Sequence, residues 1–208
     1  MISAEEIAHN YQRYEDEKIE YLALNSKGLR KEAVAVLKDE IIHRNLDVRL
    51  LQWVDFETIE FEGFEKEQLI HKISNLICPN CNFFSDLKAY QFITVVSFIT
   101  ECVTNEYTQI ICNQCASKER KNSMLQTFLL GWWSLKGLFV TPITLINSII
   151  SIFREDAQST QLLNEFIDSH RAVLRYSLQN KNLDEIITLF NQNQLHTIQT
   201  IQSVQEYW

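Results

Sequence analysis

Glycine and proline are scarce in this chain, with four glycines and two prolines among 208 residues. So few chain breakers argue against many short strands joined by tight turns and favour long helices. The same shortage leaves no glycine-rich phosphate-binding loop. Basic charge is also in short supply, with 19 Lys and Arg against 27 Asp and Glu, for a net charge of −8. Residues 1–77 carry −6, residues 78–153 carry +1 and residues 154–208 carry −3. An acidic surface repels a phosphate backbone at long range, so nucleic acid is disfavoured as a partner. The start Met1-Ile2-Ser3-Ala4-Glu5-Glu6 lacks a basic stretch followed by an apolar run. The expected setting is therefore reducing and cytoplasmic. Large apolar side chains are plentiful: 46% of residues are hydrophobic, enough to build a core and to argue against global disorder.

Ser3 and Glu6 fit a capping box, and Ile7, Tyr11, Tyr14 and Leu22 follow at helical spacing. A turn at Asn25-Ser26-Lys27-Gly28 leads to a second helix over about Arg30–Arg44, with the apolar stripe Ala33, Val36, Leu37 and Ile41. Residues 46–77 read as helix-loop-helix, the better helix being Glu65 to Leu76. Residues 88–111 change character. Tyr90, Phe92, Ile93, Val95, Val96, Phe98, Ile99 and Val103 are strongly β-forming, and Thr104-Asn105-Glu106 reads as the turn of a hairpin returning through Tyr107 to Ile111. Further helices are expected over about Ala157–Gln179 and from Asp184, as N-cap, through Asn191.

Four of the five cysteines form two Cys-x-x-Cys pairs, Cys78-Pro79-Asn80-Cys81 and Cys112-Asn113-Gln114-Cys115, separated by 30 residues. Each pair sets two thiolates on one side of a tight turn, and two such turns brought together complete a tetrahedral shell. With a β-hairpin between them, the pairs predict a zinc ribbon holding one structural Zn2+ on Cys78, Cys81, Cys112 and Cys115. A redox-active pair would need a βαβ context that is absent, and iron–sulfur proteins use other spacings. Four thiolates close the shell, leaving no coordination position for chemistry. Zinc turns often need a positive φ just after the second Cys. Asn82 tolerates that conformation and Ala116 does so less readily. Cys102 reads as a small buried hydrophobe.

Residues 123–153 are the most apolar part of the chain, and Lys136 is their single charge. Three readings are open: one transmembrane helix, interrupted by Gly131, Lys136, Gly137 and Pro142; an interfacial hairpin with Trp132 and Trp133 at headgroup level and Lys136 snorkelling; or a helix pair with the tryptophans in a protein core. The preceding cluster Lys118, Arg120 and Lys121 would suit anionic headgroups or simply open a solvated helix.

Several motifs together resemble those of a group of uncharacterised bacterial proteins: Glu32 to Leu46 as a helix, Cys78 to Cys81, a hairpin, Cys112 to Cys115, Gly131-Trp132-Trp133 and Thr141-Pro142. In that group Gly-Trp-Trp is usually followed by another Gly and a Pro-Trp-Gly, whereas this chain has Ser134-Leu135-Lys136-Gly137. The group has no established activity, so the resemblance implies a zinc ribbon followed by an apolar segment and nothing about function.

His9, His43, His71, His170 and His196 are scattered, without ligand spacing to one another or an evident nucleophile beside them. The expectation is a non-enzymatic α+β protein, mainly helical, with a central β-hairpin zinc ribbon and an apolar helical hairpin after it. Its expected regions are 1–77, helical; 78–122, the ribbon; 123–153, the apolar hairpin; and 154–208, C-terminal helices. The functional expectation is an interaction or scaffold protein, cytoplasmic and peripheral or integral at the inner membrane. Its partner would be a protein or a membrane surface, contacted through Trp132, Trp133 and Lys136. The alternative is a nucleic-acid-binding ribbon whose Tyr90, Phe92 and Tyr107 stack on bases.

Overall fold

A computed structural model describes residues 3–99 and 101–192. The elements run in the order α1 (Ala4–Gln12), α2 (Asp16–Leu24), α3 (Lys31–His43), α4 (Arg49–Thr58), α5 (Gly63–Ser74), β1 (Leu87–Phe98), β2 (Glu101–Cys112), α6 (Asn113–Leu130), α7 (Gly137–Phe153), α8 (Glu155–Ser169), α9 (Arg171–Asn180) and α10 (Leu183–Asn191). The described residues are thus mainly helical with one antiparallel hairpin, as the sequence predicts. Of the C-terminal region expected to be helical, residues 193–208, including His196, lie outside the described residues. The chain divides into two compact units, Met1–Gly63 with Ile167–Trp208, and Phe64–Phe166.

In the first unit, Ser3 opens α1 as expected, its Oγ accepting from the Glu6 N–H at 3.2 Å. The single first helix predicted from periodicity breaks between α1 and α2, at an extended Glu15. Arg44, at the C-terminal end of α3, accounts for the corner. Its guanidinium donates to the carbonyls of Tyr11 (2.9 Å) and Tyr14 (2.7 Å) and to Asp16 Oδ1 (2.9 Å). A helix end leaves carbonyls unsatisfied, and a charged donor from another helix satisfies them. Ile19, Leu37, Ile41, Val54, Leu174 and Ile187 are fully buried in this unit. The predicted helix over 157–179 is also two helices, interrupted at His170, and the cap of α10 is Asn182, with Asp184 in the first turn.

In the second unit β1 and β2 pair over their full length, from Leu87 opposite Cys112 to Phe98 opposite Glu101. The strands therefore reverse between Phe98 and Glu101 and not at Thr104-Asn105-Glu106; Asn105 sits within β2, opposite Thr94. Residues 103–106 are exposed. A strand wetted there carries the polar residues that also mark turns, and pairing with the apolar β1 overrides that local signal. Helix α6 packs against both strands and α7 against β1. Residues 123–153 comprise the end of α6, which begins immediately after Cys112, the turn at 131–136, and α7, which packs against α6.

Candidate metal centre

The first cysteine pair lies in a turn closed by a bridge between Ile77 and Phe84. Within it the Cys78 N–H donates to the Phe83 carbonyl at 3.0 Å and the Asn82 N–H to the Cys78 carbonyl at 2.8 Å. Asn82 has φ +57°, the left-handed conformation expected just after this pair. The second pair is built differently. Cys112 is the N-cap of α6, extended at φ −75° and ψ 159°, and Cys115 lies in the first helical turn. Ala116 needs no positive φ because it is already helical. This explains the departure from the turn pattern at that position: a Cys-x-x-Cys at a helix start presents both sulfurs on one side without a left-handed residue. A helix N-terminus also favours negative charge on the sulfurs beside it.

The two pairs meet because β1 and β2 run back to the same end of the hairpin, bringing Cys112 beside Leu87. All four Sγ atoms lie within 4.8 Å of one another. Cys78 and Cys115 approach to 4.0 Å, and Cys81 and Cys112 to 3.7 Å. Four sulfurs about 2.3 Å from a single tetrahedral ion stand about 3.8 Å apart. The observed spacing thus fits one ion. It does not fit a cluster whose thiolates each bind a separate iron and must stand further apart. Cys78 and Cys112 are buried, and Cys81 and Cys115 are partly exposed.

The electrostatics of the four thiols are uneven. Burial raises the Cys78 thiol, but the backbone N–H groups of Cys112, Asn80 and Cys81 outweigh it and bring it down to about 7. The Cys112 N–H lies 3.4 Å from its sulfur. Burial pushes the Cys115 thiol up, and the neighbouring Cys112 and Cys81 add to the rise. Cys81 is lowered by the Phe83 N–H but ends above its ordinary value because of desolvation and the adjacent Cys78 and Cys112 sulfurs. One site is thus poised to ionise and the crowding of the others opposes further charge. A bound cation removes that opposition, since coordinating thiols are deprotonated. The four residues can hold a metal ion. Cys102 stands apart on β2, half-buried opposite Ser97.

The remaining sequence candidates sit at the other end of the hairpin. Trp132, Trp133 and Lys136 occupy the turn between α6 and α7, and all are exposed, Trp133 to 69%. The tryptophans do not lie in a core. The Trp133 N–H donates to Ser97 Oγ at 2.8 Å, and Ser97 Oγ donates to the Leu130 carbonyl at 3.2 Å, joining this turn to the tip of β1. Gly131 and Gly137, which the sequence marks only as interruptions, leave no room for a side chain. A Cβ on Gly137 would stand 2.0 Å from the Gly131 carbonyl oxygen, and one on Gly131 would stand 2.2 Å from Thr141 Oγ1. Two of only four glycines flanking the five residues 132–136 was the available signal. Tyr90 and Phe92 are buried and Tyr107 half-buried, so they offer no exposed platform for stacking bases.

No single helix among the described residues is long and apolar enough to cross a membrane. Comparison with protein-family models, with curated proteins and with solved structures finds no match, so the likeness to bacterial ribbon proteins rests on the motifs alone.

Proposed function

We propose that this chain is a non-catalytic interaction protein in which one structural zinc ion, held by Cys78, Cys81, Cys112 and Cys115, clamps the base of the β-hairpin to the start of α6. The observation that carries this reading is the gathering of four sulfurs within 4.8 Å from two segments 30 residues apart in sequence. Zinc prefers such a closed tetrahedral sulfur shell, and a closed shell leaves no position for a substrate or an activated water. The ion supplies folding free energy and takes no part in a reaction. By fixing α6 at its N-terminus, it sets the direction in which the helix carries the apolar residues of its far end. The partner we favour is the cytoplasmic face of a membrane, contacted peripherally, as suits a chain whose described helices are individually too short or too polar to span one.

Metal analysis of the purified protein tests the zinc reading. About one zinc per chain supports it, whereas an iron-loaded or metal-free protein overturns it. The nucleic-acid alternative draws no support from the site, because Tyr90 and Phe92 are buried and Tyr107 is half-buried.

A further inference from the structure

Helix α7 is built inside out. Thr141 and Thr144 are buried and Ser148 and Ser151 half-buried, whereas Phe139, Ile143, Ile146 and Ile150, at the spacing of one helical face, are exposed to 74%, 58%, 56% and 44%. The end of α6 repeats the pattern, with Ser123 and Thr127 buried and Leu125, Phe128 and Leu129 more than half exposed. In a water-facing helix the large apolar side chains turn inward and the polar ones outward. Small residues in the packing seam and large apolar ones outside is the arrangement of helices whose surroundings are hydrocarbon.

The polar groups complete the argument. The Thr141 hydroxyl donates to the Gly131 carbonyl at 2.7 Å, Thr144 to Val140 at 3.0 Å, Ser148 to Thr144 at 2.8 Å and Ser151 to Ser148 at 2.9 Å. Each hydroxyl in α7 is thus satisfied by the protein's own backbone and asks nothing of water. Helix α7 contains no charged residue, and Lys136 and Arg154 bracket it. A protein interface of this extent would normally present direct hydrogen-bonding groups and a polar rim. Here Asn147 is the only amide on the exposed side of α7. A lipid surface requires no such groups.

We propose that α7 lies in the plane of a bilayer interface, with Phe139, Ile143, Ile146 and Ile150 against the acyl chains and Trp133 and Lys136 at headgroup level. At 17 residues α7 is about 25 Å long, short of the roughly 30 Å hydrocarbon core, which suits an in-plane helix better than a spanning one. The proposal rests on the peripheral-membrane reading above and adds the face that enters.

Flotation of the metal-loaded full chain with phosphatidylcholine vesicles, alone and mixed with phosphatidylserine, tests it at physiological salt. The wild type and the double variant Ile143→Glu/Ile146→Glu are compared. Both substituted positions are exposed, so the variant should keep its metal and helix content, which are measured alongside. Binding of the wild type to both vesicles, with a loss of ten-fold or more in the variant, is the expected result. Wild-type binding that the variant retains would overturn this face but leave peripheral association standing. Absence of wild-type binding to either vesicle would remove both, and a self-associated species that ignores vesicles would assign the face to a second copy of the chain. Binding confined to phosphatidylserine vesicles and abolished by salt would replace insertion with charge adsorption.

Discussion

The carboxylate of Glu57, on α4, accepts a hydrogen bond from the backbone N–H of Ala172, in the first turn of α9, at 3.2 Å. Glu57 is only 7% exposed. The residue that opens α9, His170, makes no side-chain cap. A side chain 115 residues away in sequence thus does the work of an N-cap, and the positive end of the helix favours the negative charge there. Burial nevertheless raises the Glu57 carboxyl above its ordinary 4.5, outweighing the opposing effects of Ala172, Lys27 and Arg171.

The sign of the pH effect follows. The folded state holds its Glu57 proton to a higher pH than the unfolded state, so this residue's stabilisation is complete below about 4.5 and declines as pH rises through the folded value. Glu57→Gln keeps an acceptor for Ala172 without a charge to desolvate. Its stability relative to the wild type should therefore increase from pH 4 to pH 7 in urea unfolding. Glu57→Ala leaves the Ala172 N–H without its partner and should cost about 1–2 kcal/mol at pH 4, a cost that narrows towards pH 7 as the wild-type contribution declines. A constant offset between Glu57→Gln and the wild type across that range would contradict the raised carboxyl.

For the metal centre, Cys112→Ser and Cys102→Ser make the decisive pair. Cys112→Ser removes one of the four candidate ligands while leaving at the N-cap of α6 a residue well suited to capping, so a loss of stability reports the metal and not the cap. It should abolish stoichiometric metal and shift the melting of the hairpin unit well below that of the wild type, since a structural ion contributes directly to folding. Cys102→Ser should keep about one metal per chain and change stability by less than about 1 kcal/mol. Chelation of the wild type should reproduce the Cys112→Ser melt. Equal effects of the two substitutions would dismiss the ligand assignment.

The turn between α6 and α7 is sensitive to single methyl groups. Gly131→Ala puts a carbon 2.2 Å from Thr141 Oγ1 and 2.5 Å from the Thr127 carbonyl oxygen. At Gly137 the nearest atom is backbone, the Gly131 carbonyl oxygen. Either alanine should destabilise by about 3 kcal/mol or more, because backbone cannot move aside as a side chain can. Thr141→Val keeps the shape and loses only the bond to Gly131, at about 1 kcal/mol. Thermal melts should place both alanine variants below Thr141→Val.

Arg44 should behave as the fastener of the α1–α2 corner. Besides Tyr11, Tyr14 and Asp16, it donates to Glu40 at 2.6 Å. Arg44→Ala should cost about 2–3 kcal/mol, and Arg44→Lys should recover only part of it, because an ammonium cannot reproduce the guanidinium fork. Circular dichroism during urea unfolding measures both. Full recovery by lysine would reduce the role of Arg44 to simple charge.

Much of this architecture was legible from local pattern. Helix α3 starts and stops within a residue of its predicted limits, because its apolar stripe and its polar ends are both short-range features. The four ligand candidates were legible because Cys-x-x-Cys is a local geometric device, and the positive φ of Asn82 follows from the same local need. The corner after α1 was not legible. Tyr14 keeps the helical period, and the cause of the break, Arg44, lies 30 residues further on.

The sequence by itself determined the helical character, the β-hairpin and the pairing of cysteines, since each is written in residue type and spacing over a few turns of chain. Only the tertiary structure decided that the second cysteine pair opens a helix instead of forming a turn, and that the strands reverse after Phe98. It alone put the hydroxyls of α6 and α7 on the inside with their large apolar neighbours outside. Those outcomes depend on which face of an element meets another, and a hydroxyl satisfied by a carbonyl four residues back reads in sequence the same as one facing water.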